Sequence, residues 1–202
     1  LCTCYLADVH RMRPDFDLME PLRESVCFLW HFAHPDGSFG GIYGSRNTRF
    51  YYPAGIECLA GEIPEAAAPA THMRRSIKGE CVVTLSAMDE PNLIPMFNSF
   101  CLAAARQAKH PNPPALPCRE NTPLRKHWPQ AGLYVDRGAS HYTILSTAKG
   151  GVVMHFEKGE RTVADGGMVA GKESKVQYAT QSHCLSNQVE VKGNQLTVHS
   201  KF

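Results

Sequence analysis

A chain of 202 residues, 43% of them hydrophobic, is long enough for one ordinary domain or two small ones, and its composition is that of a globular protein. The 21 basic and 19 acidic side chains nearly cancel and are spread along the chain, which excludes the strong basic field of a nucleic-acid or membrane-surface protein. No window approaches the roughly 18 apolar residues of a membrane span, and the N-terminus lacks the charged-then-apolar pattern of a secretion signal.

The chain opens LCTCYLADVH, without a methionine, and closes on QLTVHSKF inside a strand pattern, so it reads as a piece of a longer protein. From Asp15 to about Ala108 the apolar residues recur at helical spacing. Asp17 is placed to cap a helix with Pro21 in its first turn, whose stripe is Leu22, Val26, Leu29 and Trp30 and which ends at His34, before Pro35 and Asp36-Gly37. Pro53 opens a second helix, with Ile56, Leu59 and Ala60 on one side. A third runs from Pro64 to Gly79, with Pro69 expected to kink or split it. Residues 80–88 form an ordered connection, after which Asp89 caps a helix through Met96, Phe97, Phe100 and Leu102. Antiparallel helical hairpins are the expected form of residues 1–108.

Between 109 and 130 the composition changes. Pro111, Pro113, Pro114, Pro117, Pro123 and Pro129 disfavour both helix and central strand, and this stretch reads as a semi-rigid linker. From 131 to 202 the period switches to two. Strands are expected at 132–137, 140–146, 151–157, 176–180, 187–191 and 195–201, separated by turns such as Arg137-Gly138, Lys158-Gly159 and Gly193-Asn194. The alternation implies one buried face per sheet, hence an antiparallel sandwich. The fold class read from the sequence is α+β and multidomain: helical, linker, then β.

Cys2, Cys4, Cys27, Cys58, Cys81, Cys101, Cys118 and Cys184 are scattered, with no C-x-x-C pair, and five sit among apolar neighbours. Buried free thiols are expected, since a chain of this length does not need disulfide staples. The C-x-C of Cys2 and Cys4 lacks the second pair of a zinc site. The run DGGMVAG, Asp165 to Gly171, has no following lysine-serine and reads as a strand connection. Ser38 and Ser45 lack a nucleophile-elbow context.

The most decorated segment is PDGSFGGIYGSRNTRFYYPAG, Pro35 to Gly55. Its glycines allow sharp turns at the mouth of a cavity between helices. Tyr43, Arg46, Asn47, Arg49, Tyr51 and Tyr52 are groups suited to an anionic sugar: guanidinium forks pair with carboxylate, and tyrosines stack on rings and exchange protons. Residue types alone leave a second reading open. In it Phe39, Phe50 and the tyrosines anchor the loop, while the arginines cap helices or stay solvated.

A helical half with an aromatic DGSF loop, a proline-rich connection and a β half opening AGLYVDR and HYTILSTAKGG together resemble the heparinase II/III-like polysaccharide lyases. The resemblance covers nearly the whole chain. It implies helical hairpins of an incomplete (α/α) toroid followed by part of an antiparallel β-sandwich. It also implies β-elimination on a uronic-acid-containing polysaccharide, with an anionic polysaccharide or oligosaccharide as the partner. In that reaction Asn47, with Arg46 or Arg49, neutralises the sugar carboxylate, Tyr51 or Tyr52 carries the proton, and Tyr43 is the reserve. The family's catalytic histidine is not identified in this chain, although His31 and His34 lie nearby. Some members hold a structural zinc in the sandwich; here His141, His155, Asp165, His183 and His199 do not fall into a ligand spacing, and no cofactor is assigned. The resemblance places the protein in the periplasm or outside the cell, whereas the unpatterned cysteines suit a reducing interior, so the compartment stays open. Two alternatives stand beside the lyase. One is a non-catalytic glycan-binding or polysaccharide-assembly protein on the same scaffold. The other is a toroidal glycoside hydrolase drawing on Asp36, Glu57 and Glu62.

Overall fold

The computed structural model describes residues 2–44, 47–108, 112–171, 177–180, 187–193 and 195–200. The fold is α+β: five α-helices, then antiparallel strands, among the described residues. The chain forms two compact units. One comprises residues 1–39 and 49–120, the other residues 40–48 and 121–202.

The first unit contains α1 (Cys2–Met12), α2 (Met19–Leu29), α3 (Ala54–Leu59), α4 (Pro64–Lys78) and α5 (Glu90–Ala105). Asp17 does not cap α2. The cap position is Leu18, no side chain closes the first turn, and the helix gives way after Leu29 to a 3-10 turn, Trp30–Phe32. The early end has a local cause: the His31 ring reaches the Cys27 carbonyl (2.6 Å), and Pro35 disfavours helical backbone at His34. By contrast α4 runs unbroken through Pro69. Proline removes only the bond to the Glu65 carbonyl, and the burial of Ala66, Ala67, Ala70 and Met73 offsets that loss. Asp89 is the cap residue of α5 as expected, but its carboxylate accepts the Asn92 side-chain amide (3.0 and 2.8 Å) instead of a backbone N–H.

The sequence pattern assigns residues 1–108 to the helical part but marks no separate helix at α1, which packs on α2 and α3. Its contact with α3 depends on Gly55, where an added Cβ would lie 2.5 Å from the Cys4 Cα. The core joins Leu22 and Val26 of α2, Ile56 and Leu59 of α3, Ile63, and Met73 of α4. Leu22, Leu59 and Ile63 are fully buried, each contributing about 1.5–3 kcal/mol of burial free energy.

The second unit is built on a five-stranded antiparallel meander whose spatial order follows the chain: β1 (Leu124–Trp128), β2 (Leu133–Arg137), β3 (His141–Ser146), β4 (Val152–Glu157) and β5 (Glu160–Asp165). Two-stranded ribbons follow, β6 (Val169–Gly171) with β7 (Gln177–Ala179) and β8 (Gln188–Lys192) with β9 (Gln195–His199). One face of the meander is buried through Val135, Tyr142, Ile144, Val152, Met154 and Phe156, as the period of two requires. β1 lies inside the proline-rich segment. It is an edge strand flanked by Pro123 and Pro129, which is where proline is tolerated in a sheet. Arg137, buried on the inner face, donates through Nε (2.6 Å) and Nη2 to the Thr122 carbonyl.

Residues 40–48 belong to this second unit. Lys149 Nζ donates to the Ile42 carbonyl (3.0 Å) and to that of Gly44, and burial pushes its pKa down from the usual lysine value. Gly41 has φ +132, and a Cβ there would stand 2.8 Å from the Met154 sulfur. Only glycine satisfies both the dihedral and the space.

Candidate functional site

In the helical unit the DGSF turn is held by a dense set of hydrogen bonds. Asp36 Oδ1 accepts both the Ser38 backbone N–H (2.9 Å) and the Ser38 hydroxyl (2.6 Å). With its proton given to Asp36, the Ser38 hydroxyl oxygen accepts from His34 Nδ1 (2.8 Å), and His34 is fully buried. The Ser38 carbonyl accepts twice, from the His34 backbone N–H (3.0 Å) and from His72 Nε2 of α4 (3.3 Å). Ser76, one turn further along α4, accepts the Tyr51 hydroxyl (3.3 Å) and directs its own proton to the Gly37 and His72 carbonyls. Arg119 Nη2 donates to the Pro35 carbonyl (2.7 Å). The turn is therefore fixed to α4 and to the 3-10 turn Pro117–Arg119.

These elements wall a cavity of about 270 Å³. Its polar lining is Thr71, His72, Arg75, Ser76, Cys81 and Arg119; Gly37, Ala68, Leu116 and the Pro113-Pro114 pair supply the apolar part. The volume is near the lower end of ligand sites, roughly 300 Å³, and suits one sugar ring. His72 is 8% exposed. Burial lowers its pKa, the hydrogen bond to Ser38 opposes that, and the nearby positive charges of Arg119 and Arg75 lower it further. A neutral imidazole that donates from Nε2 carries its lone pair on Nδ1. The Arg75 guanidinium is exposed and has no partner among the described residues. The cavity thus combines a neutral base, two cations and an apolar wall.

The residues singled out in the sequence are distributed differently. Tyr43 and Asn47 belong to the β unit, Arg49, Tyr51 and Tyr52 to the helical unit, and Arg46 lies outside the described residues. Tyr43 is buried; Asn47 is exposed, with φ +53. Tyr51 is 2% exposed, packs its ring on Phe39 (4.8 Å between centroids) and stands edge-on to His72 (6.5 Å). Burial drives its phenol pKa far above the usual tyrosine value. Tyr52 is half-buried, contacts Phe50 (5.6 Å) and directs its hydroxyl to Asn92 (3.5 Å); burial also raises its pKa, with smaller contributions from Tyr5 and Asp89. The Arg49 carbonyl accepts the Val83 N–H (2.9 Å).

The carboxylates considered for hydrolysis have separate partners. Asp36 holds Ser38, Glu62 lies near His10 (3.4 Å), and both oxygens of buried Glu57 accept from Arg74 Nη1 (2.7 and 2.6 Å). Of the histidines weighed for zinc, His141 donates to Asp136 (2.8 Å) and stacks on His155 (5.8 Å), while His183 lies outside the described residues. Among the described residues no three histidine, cysteine, aspartate or glutamate side chains are grouped to hold a metal ion. Seven cysteines are free thiols, and Cys184 lies outside the described residues. No described helix is long and apolar enough to cross a membrane.

Sequence reasoning missed His72, Arg75 and Arg119. The first two were within reach, because a histidine and an arginine three apart on a helix share a face. Arg119 joins them only through the tertiary fold. No family model, curated protein or solved structure matches the chain.

Proposed function

We propose that this is a polysaccharide lyase-like protein in which the α4 cavity takes the acidic sugar of a uronic-acid-containing polysaccharide. The observation that supports this reading is the meeting of Arg75 and Arg119 with neutral His72 in a cavity the size of one ring. Guanidinium groups on the sugar carboxylate stabilise the charge that develops when the neighbouring C–H proton leaves, an effect of about 3 kcal/mol per preorganised donor. His72 Nδ1 takes that proton. The electron pair forms the new C=C bond, the glycosidic C–O bond breaks, and the imidazolium returns the proton to the departing oxygen. In this assignment Tyr51 holds the cavity wall, Tyr52 is the accessible tyrosine, and Arg49 is a contact for further sugars. At the level of fold, the reading treats the helices as hairpins of an incomplete (α/α) toroid and the meander as part of a β-sandwich.

The burial of Tyr51 favours a second reading, a non-catalytic glycan-binding or polysaccharide-assembly protein on the same scaffold. One experiment separates them. Incubation with uronate polymers releases an unsaturated sugar that absorbs in the near ultraviolet if the protein is a lyase, and His72→Gln abolishes the signal while leaving binding intact. Binding without the chromophore supports the second reading. Reducing ends without the chromophore indicate hydrolysis and overturn both.

A further inference from the structure

Between Pro91 and Ala105, α5 carries no charged residue. Its inner side is buried through Met96, Ser99 and Ala103, and the Ser99 hydroxyl accepts the Ala54 N–H (3.3 Å). The opposite side is also apolar. Ile94 is 76% exposed and Phe97 58% exposed, and Cys101 and Ala104 continue the same line in solvent. Alternate spacings of three and four are those of a helix-pairing seam. Exposed Asn98 adjoins this line, and a helix with apolar residues on two opposite faces is normally covered. Beside the seam lies a groove of about 280 Å³, whose apolar lining includes Phe100, Ala103 and Ala104 and whose polar lining includes Lys78 and the Glu57–Arg74 ion pair. Exposed Lys78 has no partner among the described residues, and neither does Glu90, the acid that opens the seam.

We propose that this face joins two copies of the chain, α5 lying antiparallel to α5 of the second copy across a two-fold axis near Ser99. In that register Ile94 meets the partner's Ala104, and Phe97 meets the partner's Cys101 at the mouth of the partner's groove. Glu90 then reaches the partner's Lys78, because Lys78 lines the groove together with Ala104. Each copy supplies the projecting ring and the groove, the acid and the base, which is the self-complementarity a two-fold interface requires. A different protein would need an uncharged seam ended by a matching base, and this chain presents both halves itself. Antiparallel helices also oppose their dipoles favourably.

Sedimentation equilibrium of the full chain in thiol reductant tests the proposal. The expected result is a concentration-dependent dimer that Phe97→Glu converts to monomer with an unchanged circular dichroism spectrum, since Phe97 is outside the core. Glu90→Lys and Lys78→Glu each turn two attractive pairs into repulsive ones and weaken association roughly tenfold; the double variant restores it. A wild-type monomer at all concentrations, a dimer that survives Phe97→Glu, or a double variant no better than the single ones would overturn the proposal.

Discussion

Replacing Ser38 with alanine removes one oxygen atom from the turn that carries the candidate cavity. Two hydrogen bonds go with it: the hydroxyl donated to the Asp36 carboxylate (2.6 Å) and the one accepted from His34 Nδ1 (2.8 Å). A bond to a charged group contributes about 1.5–3 kcal/mol and a neutral one about 1. The backbone contacts of Ser38 to Asp36, His34 and His72 are kept. The expected loss is therefore about 3 kcal/mol, a substantial share of the ~5–15 kcal/mol by which a domain is stable. The assay is urea unfolding followed by fluorescence. Trp30 and Trp128 are the chain's two tryptophans, one in each unit, so a Trp128→Phe background reports on the helical unit alone. With an m value near ~1.5 kcal/mol/M the midpoint falls by about 2 M. A loss below about 1 kcal/mol at unchanged m would show that the hydroxyl network does not hold the turn.

Three further outcomes are expected. Because the folded pKa of His72 is held below its unfolded value, the unfolded chain binds an extra proton between the two, so stability falls as pH drops below about 6.5 and His72 contributes nothing above it. His72→Gln flattens that part of a stability-against-pH curve; an unchanged slope would show that another group is responsible. Arg75→Ala weakens binding of a uronate oligosaccharide about tenfold by calorimetry with no change in melting temperature, since the side chain is exposed and engages no described partner. Gly41→Ala destabilises the β unit by about 1–3 kcal/mol in denaturant unfolding, because alanine is strained at φ +132 and its Cβ meets Met154; a neutral result would mean that the loop readjusts.

What the sequence revealed, and what it hid, follows from where the forces act. β2, β3 and β4 alternate because one face is buried, and their positions are legible to within a residue. β5, ERTVAD, is exposed at every position, so it has no alternation to read. β1 was obscured by the prolines beside it, which signal an edge as readily as a linker. α1 depends on Gly55 yielding space to Cys4, about fifty residues away in sequence, a contact with no local signature. The aromatic loop is tied down through the Asp36–Ser38 turn and the packing of Tyr51 on Phe39, but adjacent Tyr51 and Tyr52 differ in burial by virtue of packing, which composition does not encode. The cavity lining shows the same division: His72 and Arg75 are linked by helical period, whereas Arg119 comes from within the proline-rich stretch.

The excursion of residues 40–48 sets an order of events during synthesis. Lys149, which secures the carbonyls of Ile42 and Gly44, follows them in sequence by 107 and 105 residues. At roughly 5–20 residues per second, the ribosome takes about 5–20 s to supply it. Throughout that interval α3, α4 and α5 are emerging behind a segment whose anchor has not been made. Cutting the chain after Glu120 would not yield a free-standing helical domain either: residues 40–48 would stay with it as a loop belonging to the unit left behind.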